Sequence, residues 1–124
     1  MSAIQIGDTF LIQHLWIVIS DPTKNSGSFL IVNLTTDKLR AGGTCELRRG
    51  DHEWITKTCY VSFGDAREVD PEKEIKLLDL MKCGRITKHF PVNPAILQKI
   101  IRAARESKSL PIGFRKYFSP PKTR

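Results

Sequence analysis

Little in this 124-residue chain points to a staple, a membrane or a nucleotide cofactor. Cysteine occurs three times, at Cys45, Cys59 and Cys83, with no C-x-x-C pair. An odd, scattered set suggests no disulfide framework and fits small core residues in a reducing compartment. Cys45, His52 and Cys59 fall at a regular six-residue spacing. Zinc sites usually draw on a close pair of ligands, so no metal or other cofactor is expected. The longest apolar run is Leu15–Ile19, far short of the roughly 18 residues that span a membrane. The N-terminus lacks the basic-then-apolar order of a secretory signal, so a cytoplasmic protein with no membrane association is expected. Neither G-x-G-x-x-G nor G-x-x-x-x-G-K-[ST] occurs, which leaves nucleotide-dependent chemistry without a motif. Two catalytic domains are excluded by length, whereas 40% hydrophobic residues suffice for one core.

Acidic residues are scarce in the last third. Residues 82–124 carry 11 lysines and arginines against the single acid Glu106, while residues 1–81 carry 9 against 12 acids. The chain as a whole has a net charge of +7. Like charges repel, so a one-sided excess suits an anionic partner, either nucleic acid or an acidic protein segment. A solvated basic surface is the plainer alternative.

The remaining pattern is mostly that of strands. Asp8–Gln13 and His14–Ser20 are short and rich in β-branched and aromatic residues, too continuous for an amphipathic helix. Asp21-Pro22 and Asn25-Ser26-Gly27 supply turn chemistry, and Ser28–Thr36 completes an expected hairpin. Thr44–Arg48 and Thr58–Phe63 follow as strands, separated by a turn at Gly50-Asp51. Asp70-Pro71 then starts a helix that stops at Gly84, and Ile86–Phe90 can close the sheet. Asn93-Pro94 caps a second helix, with Leu97, Ile100, Ile101 and Ala104 on one face. The fold expected is mainly β with C-terminal helices: a small SH3-like β-barrel of five to seven strands capped by helices. Residues 1–107 form the barrel-plus-helix domain. Residues 108–124 form a basic, aromatic tail, disordered at Ser119–Arg124.

Few side chains are suited to chemistry. His14 precedes an apolar strand, Thr35 and Thr36 end the next, and His52 sits with Asp51, Glu53 and Trp54 in a polar turn. Loops at strand ends are where a rigid barrel presents functional groups. Cleavage of RNA by its own 2′-hydroxyl needs a base, an acid and cations for the phosphorane, and two histidines with lysine or arginine meet that need without a metal. Each residue also has a plainer role. His14 suits a boundary position, Thr35 and Thr36 are good strand formers, Trp16 and Phe29 suit the core, and His89 suits a structural place. Trp54 can stack on a base.

The order of these features resembles the PemK/MazF-type toxins of toxin–antitoxin modules. It rests on Gly7-Asp8, a strand ending Ile17-Val-Ile-Ser20, Leu30-Ile-Val-Asn-Leu-Thr35, a late Asp-containing strand exit and the C-terminal amphipathic helix, over roughly residues 6–106. The resemblance implies a metal-independent endoribonuclease on single-stranded RNA, a homodimer, and an acidic antitoxin that occupies the RNA groove. Thr35 stands at the family's threonine position. His14-Leu15 stands where the family has Arg-Pro, and the loop between the first two strands is shorter. The expected catalytic set is therefore His14, Thr35 and His52, with RNA contacts from Lys57, Trp54, Arg48, Arg49, Arg102 and Arg105. Two other readings remain: a non-catalytic barrel that binds RNA or DNA, and a module that docks an acidic protein segment.

Overall fold

β1 (Thr9–Ile12) and β2 (His14–Val18) form a hairpin so tight that Ile12 pairs directly with His14 across the single residue Gln13. Gln13 accommodates this with a φ of 63°, a left-handed conformation that only a few per cent of non-glycine residues adopt. The computed structural model in which this is seen describes residues 4–42 and 45–118. β3 (Phe29–Thr35) pairs with β2 as expected from the turn chemistry between them, and a short α1 (Lys38–Ala41) follows. β4 (Glu46–Leu47), β5 (Cys59–Val69) and β6 (Thr87–His89) complete a curled sheet in the order β4-β5-β3-β2-β1-β6, with every neighbouring pair antiparallel. It is an open half-barrel of six strands with helices packed against it, mainly β as expected.

The helices start where their capping residues stand. α2 (Pro71–Lys82) is capped by the Asp70 carboxylate, which accepts from the Lys73 amide at 2.8 Å. In α3 (Pro94–Glu106) the Asn93 side chain accepts from the Ile96 amide at 2.9 Å. Because side chains alternate along a strand, the sheet has two distinct faces. One carries Leu15, Ile17, Val32, Leu34, Val61 and Phe63, all fully or almost fully buried under α3. The other carries Phe10, Val18 and Ile31, and α2 covers it through Leu77. That second cover spans only one end, which leaves the rest of the face open.

Two segments depart from expectation. β5 runs to Val69 rather than stopping at Phe63, because Gly64 and Asp65 are taken up by a bulge where the β3–β5 register shifts. Residues 108–118 do not trail away as a tail. Leu110 and Phe118 are buried, a 3₁₀ segment spans Ile112–Tyr117, and the Arg115 guanidinium donates to the Ser107 carbonyl at 2.7 Å. The expected disordered end, Ser119–Arg124, lies outside the described residues.

Tyr117 donates its hydroxyl to the Glu68 carboxylate, and burial, then Glu68, holds its phenol well above the usual range. The folded state thus keeps a proton that the unfolded chain releases near pH ~10. The stability this contributes is present below that pH and is lost as pH rises. Urea midpoints should therefore fall more steeply above pH ~10 for the parent than for Tyr117→Phe, since a phenylalanine has no proton to lose. Parallel midpoint curves would contradict this.

Candidate active site

Strand register assembles the polar side chains of the open face. Trp16 pairs with Asn33 and Asn33 with Ser62, forming one lateral row. Two residues further along, Ile12 pairs with His14, Thr35 with Tyr60, and Tyr60 with Glu46. The β2–β3 pairing ends at Trp16 and Asn33, and His14 and Thr35 lie two residues beyond it on the same face of the sheet. One row thus ends in the pair Ile12 and His14 and the other in Thr35, Tyr60 and Glu46, both at the same end of the open face. His14 is exposed, and Thr35 and Tyr60 are half-buried.

The Thr35 hydroxyl oxygen accepts from the Asp37 amide at 3.1 Å. Its own proton is then free to be donated outward. Trp16 is held along the strand by its indole N–H, which donates to the Ile12 carbonyl at 3.2 Å. Asn33 is only 7% exposed, and its side-chain oxygen has no hydrogen-bond partner among the described residues. At the β5 bulge, Ser62 donates to Asp65 at 2.6 Å, and Arg40 approaches the same carboxylate at 3.4 Å. The Ser62 hydrogen bond, with Arg40 behind it, holds the Asp65 carboxyl below its ordinary range.

A lowered carboxylate pKa stabilises the fold above the unfolded value of about 3.9 and is lost as pH falls through the folded value. Asp65→Asn should therefore lower the denaturation midpoint at pH 7 and bring it toward that of the parent as the pH approaches 3. An equal difference at both pH values would show that ionisation is not the cause.

His52 lies elsewhere. It is 7% exposed, and its Nδ1 accepts from the Trp54 amide at 3.0 Å. With Nδ1 accepting, the neutral ring carries its proton on Nε2, which donates to the Phe90 carbonyl. Thr9 donates to the same carbonyl at 2.7 Å. Thr9 points to the face opposite Phe10, whereas His14 shares the face of Phe10 and Ile12. The expected partnership of His14 with His52 is thus not assembled: the two are on opposite faces of the sheet, and the His52 ring is engaged by the Trp54 amide and the Phe90 carbonyl, with the Thr9 hydroxyl 3.3 Å from Nε2. His89 lies beside it, with ring centroids 6.4 Å apart, and its Nδ1 is 3.7 Å from Glu53.

The expected RNA contacts divide into three groups. Trp54 and Lys57 share one site, lining with Thr36 and Cys59 a groove of about 310 Å³ beyond the end of β3. Arg48 and Arg49 are exposed after β4, with Arg48 paired to Glu46 at 2.7 Å. Arg102 is exposed on α3. Arg105 lines a different hollow with Ser20, Asp21 and Asn25, at the opposite end of β2 and β3 from His14 and Thr35. Cys45 and Cys59 are buried in the core, and burial raises both thiols, Cys59 to about 11. No cluster of three metal-ligating side chains occurs among the described residues.

Sequence reasoning did not single out Tyr60, Ser62, Asp65, Arg40 or Asn33. Asn33 was visible as the lone polar residue inside Phe29–Leu34, but what joins it to the others is register, which one sequence does not specify.

No helix among the described residues is long and apolar enough to cross a membrane. No family model matches the chain, and no curated protein matches it. Among solved structures it is similar to an endoribonuclease in complex with its cognate antitoxin from a mycobacterial species, with 17% identity and a TM-score of 0.53. The match covers 90% of this chain and 98% of that one, so the two share a fold through almost their whole length.

Proposed function

We propose that the protein is a toxin-type endoribonuclease, a divergent relative of the PemK/MazF toxins, which cleaves single-stranded RNA by attack of the 2′-hydroxyl without a metal. The observation that carries this reading is that His14, Thr35 and Tyr60 stand on one open face at the same end of β2, β3 and β5. We read them as a base, a phosphate-holding hydroxyl and a proton donor. The fold shared with an endoribonuclease supports it.

In the proposed reaction His14 removes the proton of the 2′-hydroxyl as that oxygen bonds to phosphorus. Thr35 donates its free proton to a non-bridging oxygen, and Tyr60 protonates the departing 5′-oxygen. The products are a 2′,3′-cyclic phosphate and a 5′-hydroxyl. In the groove beyond the end of β3, Lys57 offers positive charge and Trp54 a ring on which a base can stack. His52 takes no part in the chemistry and fixes the loop that carries Trp54. Under this reading the chain works in the cytoplasm as a homodimer, and an acidic antitoxin segment restrains it.

A second reading, a non-catalytic RNA-binding barrel, draws on the groove of Trp54 and Lys57. Incubating the parent and His14→Ala with single-stranded RNA separates the two. The nuclease reading expects fragmentation that the substitution abolishes, whereas unbroken RNA retained equally by both proteins supports the binding barrel.

A further inference from the structure

The open sheet face holds a second feature that RNA cleavage does not use. Between α2 and the sheet lies a groove of about 260 Å³, walled by Phe10 and Ile12 of β1, Leu77 and Leu80 of α2, and Ile86. Ile12 is 41% exposed and Leu80 37% exposed, so the apolar floor reaches the surface. Lys73 and Lys76 line the same groove, and neither forms an ion pair among the described residues. Lys73, Lys76, Leu77 and Leu80 are spaced at 0, 3, 4 and 7 along α2, so cations and apolar groups form one stripe of the helix.

We propose that this groove docks an acidic amphipathic segment of a partner protein, whose apolar side chains enter between α2 and β1 while its carboxylates meet Lys73 and Lys76. The groove is smaller than the roughly 300–1,000 Å³ of a small-molecule site, which suits one or two anchoring side chains rather than a whole ligand. An apolar floor with charge at the mouth is the arrangement that takes a helix by anchors one turn apart. A second copy presenting the same face would set Lys73 and Lys76 against their equivalents, and like charges disfavour that pairing. The position also bears on activity. Ile12 is both a wall of the groove and the cross-strand partner of His14, so a segment seated here lies against the end of the proposed catalytic set. The inference rests on the partner half of the proposed function and is independent of RNA cleavage.

The test is a selection from a displayed library of random 16-residue peptides against the full-length parent, with counter-selection on Lys73→Glu/Lys76→Glu and on Leu80→Glu. These positions are exposed, so the variants should keep the parent's circular dichroism spectrum and melting temperature. Enriched peptides should combine aspartate or glutamate with leucine, isoleucine or phenylalanine one helical turn apart. They should bind each variant at least tenfold more weakly than the parent, and bind His14→Ala as tightly as the parent. Peptides without acids, or peptides that bind all variants alike, would overturn the proposal. So would failure to enrich any variant-sensitive peptide, or a parent dimer that Leu80→Glu converts to monomer, since that would assign the groove to a second copy. Cleavage by His14→Ala at the parent's rate would overturn the nuclease reading and leave this one standing.

Discussion

Replacing His14 by alanine is expected to lower the rate of RNA cleavage by about 10²–10⁴-fold, the usual contribution of a positioned acid or base. That corresponds to roughly 2.7–5.5 kcal/mol of transition-state stabilisation. The fold should hardly register the change. His14 is exposed at the start of β2, and surface substitutions of this kind fall within about 0.5 kcal/mol. His14→Gln, which keeps polarity but cannot exchange a proton, should be as inactive as the alanine variant. Gel analysis of a labelled single-stranded RNA, beside a melting curve for each protein, checks both halves. A variant that cleaves within threefold of the parent would remove His14 from the chemistry.

His52→Ala should behave in the opposite way. The ring links the Trp54 amide to the Phe90 carbonyl inside the protein, and Thr9 donates to that same carbonyl. Alanine leaves the Trp54 N–H without its acceptor and opens space in a buried site. Leaving a buried polar group unsatisfied costs roughly 1–3 kcal/mol. For a domain of this size that lowers the melting temperature by several degrees. Cleavage per folded molecule should stay within about twofold at a temperature where both proteins are folded. A full loss of cleavage with an unchanged melting temperature would restore His52 to the chemistry. The contrast between the two histidines is informative because both are candidates for acid–base work from the sequence.

What separates them is a property of strands. Side chains alternate with a period of two, so each residue's face depends on pairing partners far away in sequence. His14 reaches the open face because Gln13 turns the chain in a single residue and sets Ile12 against His14. No Asn-Gly or Asp-Gly signal marks that turn. His52 is buried because Phe90, 38 residues away, returns beside it. By contrast, α2 and α3 were legible in detail, since Asp70-Pro71 and Asn93-Pro94 act through residues only three or four positions distant. The same locality explains the error at β5. Gly64-Asp65 has the composition of a turn, but pairing with β3 on both sides carries the strand through as a bulge.

The end of the described chain gives a parallel lesson. Basic and aromatic residues after Leu110 resemble a loose tail by composition. The structure instead buries Phe118 and ties Arg115 to Ser107 and Tyr117 to Glu68. Phe114, Tyr117 and Phe118 are therefore spent largely on packing. Trp54, 36% exposed above the groove it shares with Lys57, is better placed to stack on a base. The basic character of residues 82–124 is divided as well. Lys88 pairs with Asp8 at 3.3 Å, and Lys99 donates to the Glu46 carbonyl. Arg105 lies at the far end of the sheet from Thr35. Under the proposed function, charge in the C-terminal third would draw RNA toward the molecule by its overall field, while the groups proposed to act on it come from β2, β3 and β5.

The central claim is that His14, Thr35 and Tyr60 direct the 2′-hydroxyl of RNA against its own phosphate. Mass spectrometry of the products formed from a single-stranded RNA by the purified parent in excess EDTA tests it most directly. The account predicts fragments ending in 2′,3′-cyclic phosphate and beginning with 5′-hydroxyl, and none from the matching 2′-O-methyl oligonucleotide. Intact RNA, or fragments carrying 5′-phosphate, would contradict it.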